Sequence, residues 1–449
     1  MTSRRARRLS TLVIAGLLVA ACGSDSKSNT TGSTAASGSS ASSSAAAYAV
    51  DTASCPPEAT AKITGTVKIG ATMPLSGGAA AAAFAPVKAG FEAYIAYANA
   101  QKLLPDYAIE LSIEDDQYSA ALTTPAVGKL LDVTGVNIIS GIIGSPNNAA
   151  VRDTLNQDCV PQLNALTGLP AWGDAENYPW TTPGLFSYNS EARIYLNAIK
   201  KDFPNGAKAA IFRVNSDFGK AYDDAYKKFA AEANVTIVDD QTIEATDSAP
   251  PTSQVTSIAS KAPDVVLASP LGAGCITFLK EIANAKAANP AFKPRIYITG
   301  TCASTTILGA AAEAAEGLYT VAANTDVNDP KNAADPAVVL LRAQLTALGF
   351  TGDASTAATG WVTGEVTVKA LIAAAKSSDG MTRASILNAT RTLDYHPPLF
   401  RAGIDFKLNG TEDPFSIESL QVVQFIAASK TYTDIGPVVK DYEGKTPLE

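Results

Sequence analysis

The residues best equipped for chemistry in this sequence are a short turn, Gly144–Asn148 ("GSPNN"), five cysteines, one histidine and the adjacent aspartates Asp115-Asp116 and Asp239-Asp240. In "SGIIGSPNNAAVRDTL" an apolar, strand-like run stops at the turn and a helical pattern follows. Ser145 is a good N-cap, and Pro146 suits a first helical position, where no backbone donor is needed. The next backbone N–H groups, of Asn147 and Asn148, then lack helical partners and point outward. Their partial positive charge favours a carboxylate or another polar acceptor. Such a turn either caps its helix or holds a ligand, and these residues alone fit both.

The other reactive types are sparse. His396 in "DYHPPLF" reads as packing in a turn. Asp239-Asp240 stands at a strand end without a second partner at a recognisable spacing. Asp115-Asp116 reads as a solvated loop or hinge. There is no Gly-rich phosphate loop, no G-x-S-x-G and no metal-ligand cluster, so neither an enzyme, a metal site nor a cofactor is expected.

The first residues read as an address. "MTSRRARRLS" is basic, "TLVIAGLLVA" is apolar, and small residues lead to Cys22, so residues 1–21 form a signal peptide. Val19-Ala20-Ala21-Cys22 resembles a bacterial lipobox, which implies cleavage before Cys22 and acylation of its thiol. Residues 22–60 open with a Ser/Ala/Gly/Thr-rich run that reads as a flexible tether. Lipid and tether together imply a protein hanging from the outer face of a membrane. The formal net charge is -8. Without Arg4, Arg5, Arg7 and Arg8 it falls to about -12, and no basic run is left to suit nucleic acid.

With Cys22 lipidated, four cysteines remain, and an even number in an exported protein suggests disulfides with three possible pairings. Cys275 and Cys302 each follow the end of a strand-like run, "DVVLASP" and "RIYITG", with one helix between. Neighbouring parallel strands bring those ends together, which pairs Cys275 with Cys302 and leaves Cys55 with Cys159.

The elements that must position these residues alternate. The runs "TVKIGATM", "YAIELSIEDD", "VNIISGII" and "VPQLNAL" read as strands, separated by helical patterns, which means βαβ units and a parallel sheet. After "TTPGLFSYNS" the series restarts with strands "AKAAIFRVN", "VTIVDDQTI", "DVVLASP" and "RIYITG". The fold class is α/β, with two doubly wound parallel-sheet lobes joined by a multi-strand hinge and a cleft between them. Ligands of such sheets sit beyond the carboxyl ends of the strands. The C-terminal third supplies material that could return to both lobes.

In order and spacing, "VKIGATMPLSGG", "IEDDQYSA", "SGIIGSPNN", "NALTGLP", "NSDFGKAYDDAYKKF" and "APDVVLAS" resemble the solute-binding proteins of ABC importers, of the Leu/Ile/Val-binding type. The resemblance runs from about Thr64 to Gly436 and implies the type I periplasmic fold. Lobe 1 would hold residues 61–186 and 325–396, and lobe 2 residues 187–324 and 397–449. It implies that the turns after the third and fourth strands grip a ligand carboxylate through Ser145, Ala165 and Thr167. It places Phe218 over the ligand. Where the family puts an aromatic residue and an ammonium-pairing acid in the second lobe, this chain has Leu271 and Thr301. That departure favours a carboxylate or comparable acceptor on an apolar body over a free α-amino acid. Phe84 and Trp172 are further candidates for the cleft, with packing roles the ordinary reading. The implied partners are a small-molecule solute, ABC permease subunits and the membrane through the lipid anchor. A ligand sensor of the same fold would look identical in its binding lobes.

Overall fold

The computed structural model describes residues 48–247 and 249–448. The signal segment, Cys22 and the first part of the tether lie outside the described residues. From Tyr48 onward the stretch read as tether is packed. The Val50 N–H donates to Asn388 Oδ1 at 2.8 Å, Ala59 is buried, and Cys55 is cross-linked to Cys159 with Cα atoms 5.7 Å apart.

The first half contains β1 (Thr66–Met73), α1 (Gly78–Ala100), β2 (Ala108–Asp115), α2 (Ala120–Lys129), β3 (Ile138–Ser140), α3 (Ser145–Gln157), β4 (Gln162–Ala165) and β5 (Thr181–Pro183). These strands form one parallel sheet in the order β2-β1-β3-β4-β5. The second half contains α4 (Tyr188–Asp202), β6 (Ala207–Val214), α5 (Asp217–Phe229), β7 (Val235–Ile243) and α6 (Thr252–Ser260). It continues with β8 (Val265–Ser269), α7 (Ala273–Ala288), β9 (Arg295–Ile298), α8 (Thr305–Ala311) and β10 (Tyr319–Ala322). Its parallel strands run β7-β6-β8-β9-β10, the same winding as the first sheet. Central strands read as unbroken apolar runs because helices cover both faces. All five residues of β8, "VVLAS", are buried.

The C-terminal third returns to both lobes. Helices α9 (Pro336–Ala347), α10 (Ala354–Ala375) and α11 (Arg383–Thr390) follow, then the hairpin β11 (Asp394–Tyr395) and β12 (Phe406–Lys407). Strands β13 (Gln421–Ile426) and β14 (Thr431–Asp434) then extend the second sheet antiparallel to β10. The chain thus passes between the sheets after β5, after β10 and again before β13. Helix α10 lies closely against α1. A Cβ on Gly90 would fall 1.8 Å from the Ala357 carbonyl oxygen, and one on Gly360 equally close to that of Val87, so only glycine allows this crossing.

Arg391, after α11, is fully buried. Its guanidinium donates to the carbonyls of Pro179 at 2.9 Å and Thr181 at 2.6 Å, tying the C-terminal helices to the entry of β5.

Candidate functional site

In doubly wound sheets the crevice opens where strand order reverses, beyond the strands' carboxyl ends. Here those points are β1/β3 and β6/β8, and the turns beyond β3, β4, β8 and β9 border a single cavity of about 210 Å³. That is roughly ten times or more the space one water requires. Its wall combines Phe84 and Val87 of α1, Ile143 and Leu166 of the first lobe, Leu271 and Thr301 of the second, and Val362 and Val366 of α10. Strand β10 adds Val321, and the segments outside the sheets add Phe186, Phe400 and Ile417.

Three candidates from the sequence line this cavity: Phe218, Leu271 and Thr301. Phe218 and Leu271 are buried, so their side chains serve packing and wall together. Phe84 also lines it, whereas Trp172 lies elsewhere, 1% exposed, with the Arg152 guanidinium 5.4 Å from its ring centre.

Ser145, Ala165 and Thr167 are not on the wall, although their neighbours Gly144 and Leu166 are. Ser145 and Thr167 are brought together, with their hydroxyl oxygens 2.6 Å apart and fully buried. The Ala165 carbonyl is taken by the N–H groups of Thr167 at 2.8 Å and Gly184 at 3.0 Å.

The turn differs in detail from its sequence reading. Helix α3 begins at Ser145 itself, Gly144 occupies the cap position with φ of 105°, and no side chain caps the helix. Freed from capping, the Ser145 hydroxyl faces Thr167. The Asn148 N–H, expected to point outward, donates to the Gly144 carbonyl at 3.0 Å, and the side chains of Asn147 and Asn148 turn inward. Asn148 Nδ2 donates to the carbonyls of Ile142 and Gly144, and Asn147 Nδ2 donates to Asp116 Oδ2 at 2.9 Å. Asp116 is not a solvated loop residue. It is buried and also accepts from Thr123 Oγ1 and the Tyr118 N–H, while burial pushes its carboxyl above the usual aspartate range. Asp115 accepts from the N–H groups of Leu75, Ser76 and Gln117, which fixes the loop after β1.

Two positions that sequence reasoning missed shape the site. Tyr188, the first residue of α4, lines the cavity and is 4% exposed. Its N–H donates to the Gly168 carbonyl at 2.7 Å, and its ring lies against Gly168, where an added Cβ would come within 2.6 Å of two ring carbons. The local signal was Ser187, whose side chain accepts from the Asn189 N–H at 3.3 Å and starts α4 before the apolar period begins.

The second is Glu191, fully buried behind the turn after β9. It accepts from the Gly300 N–H at 2.7 Å, from the Tyr195 hydroxyl at 2.7 Å and from the Tyr222 hydroxyl. Burial pushes its carboxyl up to about 7, against the opposing pull of these donors.

Cys275 and Cys302 are bonded, with Cα atoms 6.0 Å apart. Both cross-links expected from the sequence are therefore present. This one joins the first turn of α7 to the turn after β9, stapling together the segments that present Leu271 and Thr301.

The charged side chains on the wall are Asp326 and Arg401, and Asp326 keeps one buried carboxylate oxygen, Oδ2, without a partner. Arg401 reaches Asp434 Oδ1 at 2.6 Å and the Asn324 carbonyl at 3.1 Å. Asp326 accepts from the Asn328 N–H at 3.0 Å, and burial raises its carboxyl. Among the described residues no group of histidine, cysteine, aspartate or glutamate is placed to hold a metal ion. Asp239 and Asp240 lie within β7 instead, where Arg213 and Lys227 pair with Asp240. His396 Nδ1 lies 2.9 Å from the Ile404 carbonyl oxygen.

Two like-wound lobes around one cavity at their strand tips define a solute-binding architecture. A family model described as periplasmic binding protein matches residues 66–426, and the chain belongs to that family. The family is one of solute-binding proteins, not enzymes. A Thermus thermophilus branched-chain amino acid ABC transporter structure with bound valine is 18% identical, with a TM-score of 0.75 over 85% of this chain and 98% of that one. A solute-binding protein of an ABC transporter from R. palustris, in complex with benzoate, is 21% identical, with a TM-score of 0.69 over 85% and 99%. A fatty acid ABC transporter substrate-binding protein from Thermomonospora curvata is 18% identical, with a TM-score of 0.70 over 86% and 95%. No curated protein matches the sequence.

Proposed function

We propose that the chain captures a small organic solute between its two lobes outside the cell and hands it to the permease subunits of an ABC importer. The observation that carries this reading is the cavity at the strand tips of both sheets, with its largely apolar wall. Hydrophobic and aromatic side chains with a few placed polar groups are the usual make-up of a small-molecule site. Closure of the lobes around the solute is the hinge motion such a two-lobed architecture permits. The N-terminal sequence supports tethering through a lipidated Cys22 at the outer face of the cytoplasmic membrane.

The solute has an apolar body and a single acceptor end, a carboxylate or a comparable group. A free α-amino acid fits poorly. The turn after β9 offers Thr301 in place of an acid, so an ammonium buried against that turn would be left unpaired there at high cost. The ligands named with the similar structures span valine, benzoate and fatty acids, and the largely apolar wall supports an aromatic or aliphatic acid over an amino acid.

Calorimetry with valine, leucine, benzoate, benzyl alcohol, decanoate and decanol tests the reading. Binding by an apolar organic probe, lost on Leu271→Asp, is the expected result. Tight leucine binding that survives Leu271→Asp would contradict it.

A further inference from the structure

We propose that Asp326 forms a second subsite of the cavity, one that takes a hydroxyl donor carried by the solute away from its acid end. The solute class then narrows to hydroxylated aromatic or aliphatic acids. The inference rests on the solute-capture reading and deepens it.

Asp326 follows β10 on the passage toward α9, lines the cavity and is 9% exposed. Its two carboxylate oxygens stand in different surroundings. Oδ1 accepts from the Asn328 N–H at 3.0 Å and from Thr305 Oγ1 at 3.4 Å. Oδ2 is buried and has no partner. An ionised carboxylate can only accept, and a buried acceptor left without a donor is costly. The neighbouring donors on this wall do not supply one. Arg401 reaches Asp434 at 2.6 Å, the Tyr432 hydroxyl donates to the Ala303 carbonyl at 2.7 Å, and the hydroxyls of Ser304 and Thr356 donate to Asp353 at 2.5 and 2.7 Å. Asn328 Nδ2 donates to Thr305 Oγ1 and Ser355 Oγ, both at 3.1 Å. The missing donor has to come from what the cavity holds.

The charge of Asp326 also orients the solute. A carboxylate placed beside it would set like charges together, so the acid end lies away from Asp326. The wall elsewhere includes Phe84, Val87, Val362 and Phe400, which a ring or an alkyl chain can cover. A neutral hydroxyl loses less hydration on entering such a cavity than an ammonium does, and its bond to a carboxylate is charge-assisted. Oδ1 is already joined to Thr305 of α8 and, through Asn328, to Ser355 of α10. A solute hydroxyl on Oδ2 would therefore complete a network anchored in both helices.

Calorimetry on the mature protein tests this with benzoate against 2-, 3- and 4-hydroxybenzoate, and decanoate against 10-hydroxydecanoate. At least one hydroxylated acid should bind about tenfold or more tighter than its parent. No gain in any of them would overturn the proposal, leaving Oδ2 to water. The matching fluoro acid, close in size but with no proton to donate, should lose the gain, and a fluoro acid as tight as the hydroxylated one would overturn the proposal. Asp326→Asn should reduce the advantage of the hydroxylated acid over its parent to below about threefold, and an undiminished advantage would overturn the proposal. If that variant does not fold, the hydroxyl–fluoro comparison on the wild type decides. Parents that bind without any hydroxyl gain would remove the subsite and leave solute capture standing. Failure of every acid, parents included, would count against solute capture and overturn the subsite with it.

Discussion

The two sheets share one strand order, and the chain turns into the cavity at equivalent points of each: Gly144-Ser145 and Leu166-Thr167-Gly168 in the first lobe, Leu271 and Gly300-Thr301 in the second. The first pair of turns carries the hydroxyls of Ser145 and Thr167, which bond to each other, with Tyr188 held against Gly168 beside them. The second pair carries an apolar side chain and a threonine, cross-linked to each other and backed by a buried glutamate. Equal topology therefore carries unequal chemistry. The winding decides where a ligand sits, and the few residues at the strand tips decide what it is.

The comparison breaks most visibly at Leu271. Placing a carboxylate on the apolar wall with Leu271→Asp should weaken solute binding by about 3 kcal/mol, roughly a hundredfold, in calorimetry. Unaltered affinity would mean the second lobe's turn does not touch the solute.

The next effect separates the two cross-links. Replacing Cys275 and Cys302 by serine should cost about 2–3 kcal/mol in denaturant unfolding and also weaken binding, because it frees the turns behind Leu271 and Thr301. Replacing Cys55 and Cys159 should cost comparable stability and leave affinity unchanged, since that bridge ties the segment after Tyr48 to the end of α3, away from the cavity wall. Equal effects on binding would erase the distinction between the two.

A smaller effect follows pH. Burial lifts Glu191 to about 7, while the unfolded carboxyl stays near 4.5. The folded form therefore holds a proton that the unfolded form releases, and the stability this contributes is complete below the unfolded value and lost as pH rises through about 7. Glu365 and Glu418, also lifted to about 7 by burial, act in the same sense. The melting temperature should fall between pH 5 and pH 8, and Glu191→Gln should flatten part of that slope. An unchanged slope would show that the turn behind Thr301 is not held by a protonatable group.

The smallest effect is expected at Ser145. With its hydroxyl facing Thr167 rather than the cavity, Ser145→Ala should cost about 1 kcal/mol of stability and change affinity by less than about threefold.

Much of this arrangement was legible in the residues. "VTIVDDQTI" coincides with β7, and the family resemblance put Ser145 and Thr167 on two turns that the structure brings together. Cys275 and Cys302 were paired by the same logic. Local rules lost ground where neighbours decide. Helix α1 starts at Gly78, well before Pro86, because the alanine run between them has high helix propensity and the proline is absorbed within the helix. Helix α11, "RASILNAT", has a weak apolar period and is held by a capping box between Thr382 and Ser385. The three residues of β5, ending in Pro183, form a strand only because β4 offers an edge. Tyr188 was invisible for the same reason. No local pattern says that a side chain at the start of a second-lobe helix will lie against Gly168 of the first lobe.

The most direct test of the account is the crystal structure of the protein with its captured solute. The account predicts density in the cavity touching Leu271 and Thr301 on one side and Phe84 and Val362 on the other. Density outside that cavity, or contacts confined to one lobe, would contradict it.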